Sequence, residues 1–401
     1  MIQIYIWGAG HYVQQVIDEI DDTRIDILGI LDNDESKQGL ALPCGISIIS
    51  PSQIVQKEYD YIIISVKKHK PIEMECVKRG IPLEKVISYW KETDEHSIFK
   101  NRGVRIEGLI REKKLLQYRI DSMPYEYGIQ PSPKILSAAH LLKKIIRDHS
   151  SLCRFGDGEF EMIRKKERPW FQKADSVLSR RLKEVLASKD DMINIAISQN
   201  FTGLERYKER SADGIREYMF GETRKSILGM IDESRVYYNA YVTRPYIIYK
   251  DKKNADEIFP LFKKIWKGRD VLIVEGEFSR IGIGNDLLED ACSVSRVLCP
   301  SKNAWNKYKE IFDTVLKTAP KESLICISLG PCATVLAYDL AKEGYQALDI
   351  GQLDNEYEWY MRGAETQIAI PGKMIAEVVG EQTFELADQT EYLSQIISRI
   401  C

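Results

Sequence analysis

Two carboxylates separated by one glycine are the most chemically suggestive feature of the sequence. Asp157, Gly158 and Glu159 directly follow the apolar segment 151–155. In a turn or an extended segment, side chains two residues apart can converge on one cation, and the glycine lets another group approach closely. Carboxylate oxygens suit Mg²⁺ or Mn²⁺, which keep several waters and bind phosphates. The pattern predicts a divalent metal site at Asp157 and Glu159, with a polar surface turn as the alternative.

Basic and glycine-rich segments are candidates for binding the phosphates of a substrate. Arg154 precedes the acids, and its guanidinium suits either a phosphate or an ion pair. Segment 275–286 places three glycines between a predicted strand and a predicted helix that begins near Asp286, where backbone N–H groups can face an anion. Asp286 equally suits a helix cap. We expect the contacts in these segments to come from Arg154, Phe155, Gly156, Ser279, Arg280, Gly284 and Asn285.

A third segment, 328–334, opens a predicted helix directly after a predicted strand. Gly330, Thr334 and the local amides are candidates for holding a phosphate or a nucleobase. A tight turn followed by ordinary helix capping is the alternative interpretation.

A fourth segment, 351–359, carries three acids and two aromatic residues after the end of a predicted strand. Open α/β sheets bind ligands at that edge. Aromatic rings commonly face sugar rings, and a carboxylate can take the proton of an acceptor hydroxyl. One of Asp354, Glu356 and Glu358 is therefore a candidate general base, and an exposed acidic loop with aromatic anchors is the alternative.

A repeating strand and helix pattern positions these segments. Apolar runs at 3–7, 25–31, 61–66 and 85–89, with a helix at about 12–20, predict a small parallel Rossmann-like domain over 1–100. An exposed helix over about 106–121 and three prolines within 123–133 predict a helical linker over 101–133. The remainder, 134–401, predicts a second α/β domain. It starts with a helix at 135–148 and has strands at 192–197, 235–240, 271–274, 295–298, 324–328 and 346–350.

The first predicted loop carries part of a dinucleotide fingerprint. Gly8 and Gly10 match the start of GxGxxG, but Val13 occupies the third glycine position. Asp32 lies where a ribose-binding acid is expected. An NAD-dependent oxidoreductase is therefore one alternative for the chain, although we favour an accessory or scaffolding role for this domain.

Composition excludes several classes of protein. The 401 residues carry a formal net charge of −3, so no global positive field favours nucleic acid. No apolar run approaches the roughly 20 residues that a membrane span requires. The N-terminus runs straight into a predicted strand and lacks the pattern of a secretory signal. We therefore expect a cytoplasmic protein without a membrane span.

The four segments together resemble the GT-D fold family of bacterial glycosyltransferases, over roughly residues 134–380. The resemblance is carried by RFGDGE at 154–159, SRIGIGND at 279–286, SLGPCATVLAYDLAKEGYQALDIG at 328–351 and LDNEYEW at 353–359. It implies that Asp157 and Glu159 bind the metal and the nucleotide of a UDP-sugar. It also implies glucose or galactose as the sugar and O-linked glycans of bacterial serine-rich adhesins as acceptors. The family usually carries His where this chain has Gln352, which cannot titrate near neutral pH.

The sequence thus predicts a metal-dependent hexosyltransferase acting from a UDP-sugar onto a glycan or glycoprotein hydroxyl. The predicted cofactor is Mn²⁺ or Mg²⁺. Partner proteins would be a second copy of the chain or other glycosyltransferases. A non-catalytic module of a glycosylation complex is the remaining alternative.

Overall fold

The protein was analysed as a computed structural model that describes residues 2–20, 25–54, 58–90, 103–165, 172–375, 378 and 390–400. The chain divides into two compact units, Met1–Gln117 and Tyr118–Cys401. The division falls within the segment 101–133 that was predicted to be a helical linker. Among the described residues, no helix combines the length and the apolar character that a membrane span requires.

The first unit is a parallel sheet of five strands in the order β3-β2-β1-β4-β5. Its apolar strands are buried, as expected for a sheet with helices connecting parallel strands. The strands are β1 (Ile2–Trp7), β2 (Ile25–Leu31), β3 (Ile48–Ile49), β4 (Tyr61–Ile64) and β5 (Val86–Ser88), and the helices are α1 (Val13–Glu19) and α2 (Lys70–Lys78). Helix α3 (Gly103–Glu126) crosses the division between the units and extends past the 106–121 predicted for it.

The glycine-rich loop of the first unit packs closely against Ser65 and is hydrogen-bonded to Asp32. Gly8 has φ +116°, and a Cβ there would lie 2.7 Å from Ser65 Oγ. The Asp32 carboxylate accepts the N–H of Ala9 at 2.8 Å and the ammonium of Lys37 at 3.3 Å. The acid predicted to bind a ribose is thus engaged within the unit itself.

The second unit is built on a nine-stranded parallel sheet with the order β14-β11-β10-β12-β13-β7-β8-β9-β6. Its central strands are buried on both faces. The strands are β6 (Lys134–Leu136), β7 (Ser151–Phe155), β8 (Ile193–Ile197), β9 (Val236–Asn239), β10 (Asp270–Gly276), β11 (Ser293–Cys299), β12 (Leu324–Ser328), β13 (Gln346–Asp349) and β14 (Ile396–Arg399).

Helices cover both faces of this sheet, as in other α/β domains. One apolar core contains side chains of α5, α6, α7, α8, α10 and α11, and the other contains side chains of α4, α9 and α12. The helices are α4 (Ala138–Asp148), α5 (Asp157–Ile163), α6 (Ser176–Ala187), α7 (Glu209–Met219), α8 (Glu222–Leu228), α9 (Lys253–Trp266), α10 (Tyr308–Thr318), α11 (Pro331–Lys342), α12 (Leu353–Met361) and α13 (Thr390–Gln395). The predicted α/β class is confirmed.

Two local predictions in the second unit were wrong. The helix predicted from residue 135 begins at Ala138, because Lys134–Leu136 pairs as strand β6 and Ser137 caps the helix. No helix begins near Asp286; residues 281–292 form turns, with Gly282 and Gly284 at positive φ. The alternative interpretation of segment 353–359 as an exposed acidic loop is also excluded, because the segment lies in helix α12 and its three acids are all buried.

A buried ion pair fixes the base of the glycine-rich loop that follows β10. Arg296 Nη1 lies 2.6 Å from Glu275 Oε1, and the two side chains are 1% and 0% exposed. The other Glu275 oxygen accepts the N–H of Ile281, and Arg296 Nη2 donates to the Ile281 carbonyl oxygen. Both ends of the pair therefore hold the loop that starts at Gly276.

We predict that Arg296→Met lowers the free energy of unfolding by about 3–5 kcal/mol, since it leaves Glu275 buried without its cation. The lowered midpoint of urea denaturation would show this loss. Glu275→Leu combined with Arg296→Met should recover most of the stability, because the double variant leaves no buried charge without a partner. The matched control is Lys225→Met, in the exposed pair with Glu222, which should leave the midpoint unchanged. Equal losses in the single and the double variant would contradict the prediction.

Candidate active site

An open cleft lies where five neighbouring strands of the second unit end. Its volume is about 580 Å³, and it is lined by residues that follow the carboxyl ends of β7, β8, β9, β12 and β13. Ligands of open parallel sheets bind at this edge. The polar side chains and turn residues of the lining are Arg154, Gly156, Asp157, Gly158, Glu159, Gln172, Ser198, Asn200, Ser211, Tyr218, Tyr241, Arg244, Ser328, Gly330, Gly351 and Gln352.

The order of the strands places the acid pair near the middle of this edge. Strand β7 lies between β13 and β8, so Asp157 and Glu159 are flanked by the ends of both strands. Neighbouring strands are about 4.8 Å apart. Gln352 and Ser328 therefore lie on one side of the acids, and Asn200 and Tyr241 on the other.

The two acids belong to the first turn of a helix rather than to the turn or extended segment that we expected. Gly156 precedes α5, and its N–H donates to Glu159 Oε2 at 2.7 Å. Asp157 is exposed, and its Oδ1 accepts the N–H of Gly158 at 3.0 Å. Burial, with a smaller effect from the charge of Asp349, raises the pKa of Glu159 to about 7. Both carboxylates line the same cleft.

Arg154 is held by protein groups beneath the acids. Its Nε and Nη2 donate to the carbonyl oxygen and the carboxylate of Asp349, at 2.9 and 2.8 Å. Its Nη1 donates to Thr243 Oγ1 at 2.6 Å. Burial raises the pKa of Asp349, an effect that the neighbouring guanidinium opposes. Arg154 thus lines the cleft while neutralising a buried acid that sequence analysis did not single out.

The acids of α12 are engaged in internal contacts. Asp354 accepts hydrogen bonds from the N–H of Gly282, from Asn285 Nδ2 and from Lys373 Nζ, the last at 2.6 Å. Glu358 accepts from the same Asn285 and Lys373 side chains, at 2.8 and 3.1 Å. These contacts tie the loop after β10 to α12.

Glu356, the middle acid of α12, is fully buried and points to a different part of the backbone. Its Oε2 accepts the N–H groups of Tyr246 and Ile247, both at 2.9 Å. It is not among the residues that line the cleft.

The predicted nucleotide contacts divide between the cleft and its surroundings. Arg154, Gly156 and Gly330 line the cleft, whereas Phe155 and Thr334 are fully buried beneath it. Thr334 Oγ1 bonds the Arg154 carbonyl oxygen at 2.9 Å. Arg280, Gly284 and Asn285 lie outside the lining, and Arg280 Nη1 donates to the Gly372 carbonyl oxygen.

A smaller cavity of about 40 Å³ adjoins the cleft and shares Ser328, Gly351 and Gln352 with it. Ser279 and Asp354 also line this cavity, and they are the predicted site residues of the 279–286 and 353–359 segments that reach it. Ser279 and Asp354 therefore lie in a cavity that adjoins the cleft, and not in the cleft itself.

The residues of the cleft fit a divalent cation of the Mg²⁺ or Mn²⁺ kind. Within the described ranges, no group of three His, Cys, Asp or Glu side chains is arranged to cage a metal. Such cages are not required, because Mg²⁺ is commonly held by one or two carboxylates together with substrate phosphates and water. Asp157 and Glu159 would supply that number of hard oxygen ligands, and the Gly156 N–H fixes one oxygen of Glu159.

Comparison with known families decides what kind of domain carries this cleft. Residues 152–378, more than half of the 401 residues, match the family described as Glycosyltransferase GT-D fold. The chain belongs to this GT-D family. The match confirms the resemblance drawn from the four segments, and it contains every residue predicted for the glycosyltransferase site. Residues 1–87 match a separate family described as C2185-like, N-terminal.

Two curated relatives of the GT-D domain are named as glycosyltransferases. The chain is 39% identical over 269 residues to a "Probable glycosyl transferase Gly" of Streptococcus gordonii, and the match covers 66% of this chain and 39% of that protein. It is 36% identical over 261 residues to "Glycosyltransferase GlyD" of Streptococcus pneumoniae serotype 4, covering 65% of this chain and 31% of that protein. The chain therefore spans less than two fifths of the length of either relative.

Solved structures share the GT-D fold. A domain of unknown function 1792, described as having a distinct glycosyltransferase fold, is 35% identical with a TM-score of 0.64, covering 71% of this chain and 98% of that one. A glycosyltransferase from Streptococcus sanguinis is 36% identical with a TM-score of 0.64, covering 67% of this chain and 100% of that one.

Several residues of the GT-D cleft that sequence analysis missed lie at the ends of β8 and β9. Ser198 and Asn200 follow β8, and Tyr241 and Arg244 follow β9. Both strands were predicted, so the polar residues directly after them were the available signal. Only the order of the strands shows that the end of β8 lies beside the end of β7, with the end of β9 next to it.

Proposed function

We propose that this chain transfers a hexose, glucose or galactose, from a UDP-sugar to a hydroxyl of a glycan or glycoprotein. The observation that carries the proposal is the pair Asp157 and Glu159 in the cleft of a GT-D domain. The names of the relatives support glycosyl transfer, and O-glycans of bacterial surface adhesins remain the acceptor that we propose from the family resemblance.

In the proposed reaction the bond between the anomeric carbon and the diphosphate oxygen breaks. A bond from that carbon to the acceptor oxygen forms, and the hydroxyl proton passes to the departing diphosphate or to solvent. Asp157 and Glu159 would hold a divalent cation, which would supply positive charge for the departing diphosphate. The Arg154 guanidinium neutralises Asp349, so one buried charge beneath the acids is already balanced.

The acids of α12 fit a supporting role better than the general-base role that we considered first. Both oxygens of Asp354 already accept hydrogen bonds from protein donors, and Glu358 is paired with Lys373 and Arg362. Glu356 is buried, and its carboxylate accepts hydrogen bonds from two backbone N–H groups. Asp354 and Glu358 hold the loop after β10 against α12, beside the smaller cavity.

The test is turnover of a panel of nucleotide-sugars by the full chain, with Mn²⁺, with Mg²⁺ and with EDTA. We expect release of UDP from UDP-glucose or UDP-galactose only when a divalent cation is present. Turnover that persists unchanged in EDTA would contradict the metal-dependent mechanism. Reduction of NAD without any release of UDP would instead favour the oxidoreductase alternative, against which the engaged Asp32 already argues. Binding of a partner protein without turnover of any donor would favour a non-catalytic module.

A further inference from the structure

The Asn200 side chain is built into the wall of the cleft but uses only one end of its amide. It follows strand β8, lines the cleft and is 5% exposed. Its Oδ1 accepts the hydroxyl of Tyr241 at 2.7 Å. Within the described part of the chain, its Nδ2 has no hydrogen-bond partner. A nearly buried amide thus presents two unused N–H donors at the cleft.

Tyr241 determines which end of this amide is available. The Tyr241 hydroxyl donates to Oδ1, so Asn200 has only N–H groups left to offer a ligand. The ring is itself held in place: its edge packs against Tyr207 with centroids 5.7 Å apart, and its backbone N–H donates to Asn239 Oδ1. Burial raises the pKa of Tyr241, so the phenol keeps the proton that it donates.

We propose that Asn200 Nδ2 donates a hydrogen bond to an oxygen of the bound nucleotide-sugar, and that Tyr241 is the positioning residue for this contact. The end of β8 adjoins the end of β7, so the amide lies beside Asp157 and Glu159 and opposite the smaller cavity. An oxygen of the nucleoside diphosphate and a hydroxyl of the hexose both suit such a donor. The inference rests on the proposed function and names a specificity-determining residue of the same site.

The chemistry favours a ligand contact over a purely structural role. The Asn200 amide faces the open cleft, and a bound substrate would shield Nδ2 from water. Leaving the shielded donor unpaired is unfavourable, so a substrate oxygen that pairs with it binds more tightly than a substrate without that oxygen. A structural role would need only the Tyr241 contact, which Oδ1 supplies alone. The two roles can therefore be separated by changing Nδ2 while keeping the acceptor oxygen.

The test compares Asn200→Asp and Asn200→Ala with the wild-type full chain. Asn200→Asp keeps an oxygen that can accept the Tyr241 hydroxyl and replaces the two N–H donors with an acceptor. Loss of a single hydrogen bond corresponds to roughly a 10-fold to 100-fold change. We expect the KM for the UDP-sugar to rise by about this factor in both variants, with the melting temperature of Asn200→Asp near that of the wild type.

The dissociation constant of UDP identifies which part of the donor is contacted. A weaker UDP complex with the rise in KM would place the oxygen on the nucleoside diphosphate. An unchanged UDP complex with the same rise would place it on the hexose. A KM for the donor within twofold of wild type in both variants, or a rise confined to the KM of the acceptor, would overturn the proposal.

The positioning role of Tyr241 is tested by a double-mutant cycle. Tyr241→Phe alone should raise the KM for the donor severalfold. In the Asn200→Ala background the same substitution should raise the KM no further. Full additivity would overturn the positioning role. Gln199→Glu is the matched control, because the Gln199 amide donates to Thr202 and lies outside the cleft lining. If the wild type used no donor at all, the proposed function itself would be refuted. If the wild type were active and the Asn200 variants turned over normally, only the role of Asn200 would be refuted.

Discussion

Asp157→Ala is expected to reduce metal-dependent turnover of the UDP-sugar at least about a thousandfold. A bound cation contributes several kcal/mol of charge stabilisation at the departing group, and each 1.36 kcal/mol corresponds to a tenfold change in rate. Asp157 is the exposed member of the pair, whereas one oxygen of Glu159 is held by the Gly156 N–H. The measurements are the rate of UDP release at saturating Mn²⁺ and the calorimetric affinity for UDP with Mn²⁺, which should weaken in parallel.

The stability of this variant should change little. Asp157 is the first residue of α5, and an exposed acid in the first turn of a helix contributes only about 0.3–1 kcal/mol. The control is Asp313→Ala, an exposed acid of α10 outside the cleft lining, which should keep normal turnover. If Asp157→Ala retained metal-dependent turnover within threefold of wild type, the pair would not be the metal site.

Gly351→Ala is expected to disrupt both stability and turnover, because it displaces the Arg154 guanidinium. Gly351 has φ +44°, and an added Cβ would lie 2.0 Å from Arg154 Nη2 and 2.7 Å from Cζ. Arg154 is held by Asp349 and Thr243, so it can avoid the methyl group only by leaving them. The buried Asp349 would then lack its cation, which costs about 3–5 kcal/mol.

The comparison with Gly363→Ala separates this clash from ordinary backbone strain. Gly363 has φ +60°, and an added Cβ there would meet no atom within 4 Å. It should therefore lose only the roughly 1–2 kcal/mol that a left-handed conformation costs a residue with a side chain. Urea denaturation measures the two losses, and UDP release should fall at least about a hundredfold in Gly351→Ala alone, since the guanidinium lies beneath the acid pair. Equal effects of the two substitutions would contradict the role of Arg154.

Local pattern was sufficient to predict most of the strands that end at the cleft. Strand β12 matches the predicted limits of 324–328, and β8 lies within the predicted 192–197. Runs of β-branched and apolar residues bounded by turn residues depend little on distant contacts, and parallel strands buried on both faces show this pattern strongly. Local pattern could not show the surroundings of residues 353–359, whose acids suggested a general base or, as the alternative, an exposed loop. Their buried partners Asn285 and Lys373 lie outside this segment of the sequence.

The sequence by itself determined the α/β class, the two successive sheets and the candidate acids Asp157 and Glu159, because each of these follows from residues that are neighbours in the chain. Only the tertiary structure decided which polar groups share the cleft and which serve as supports. It brought Asn200 and Tyr241 beside the acids and directed Arg154 to Asp349, and it placed Asp354 and Glu358 on Lys373. These assignments depend on strand order and on pairings between residues up to 195 positions apart, which no local pattern encodes.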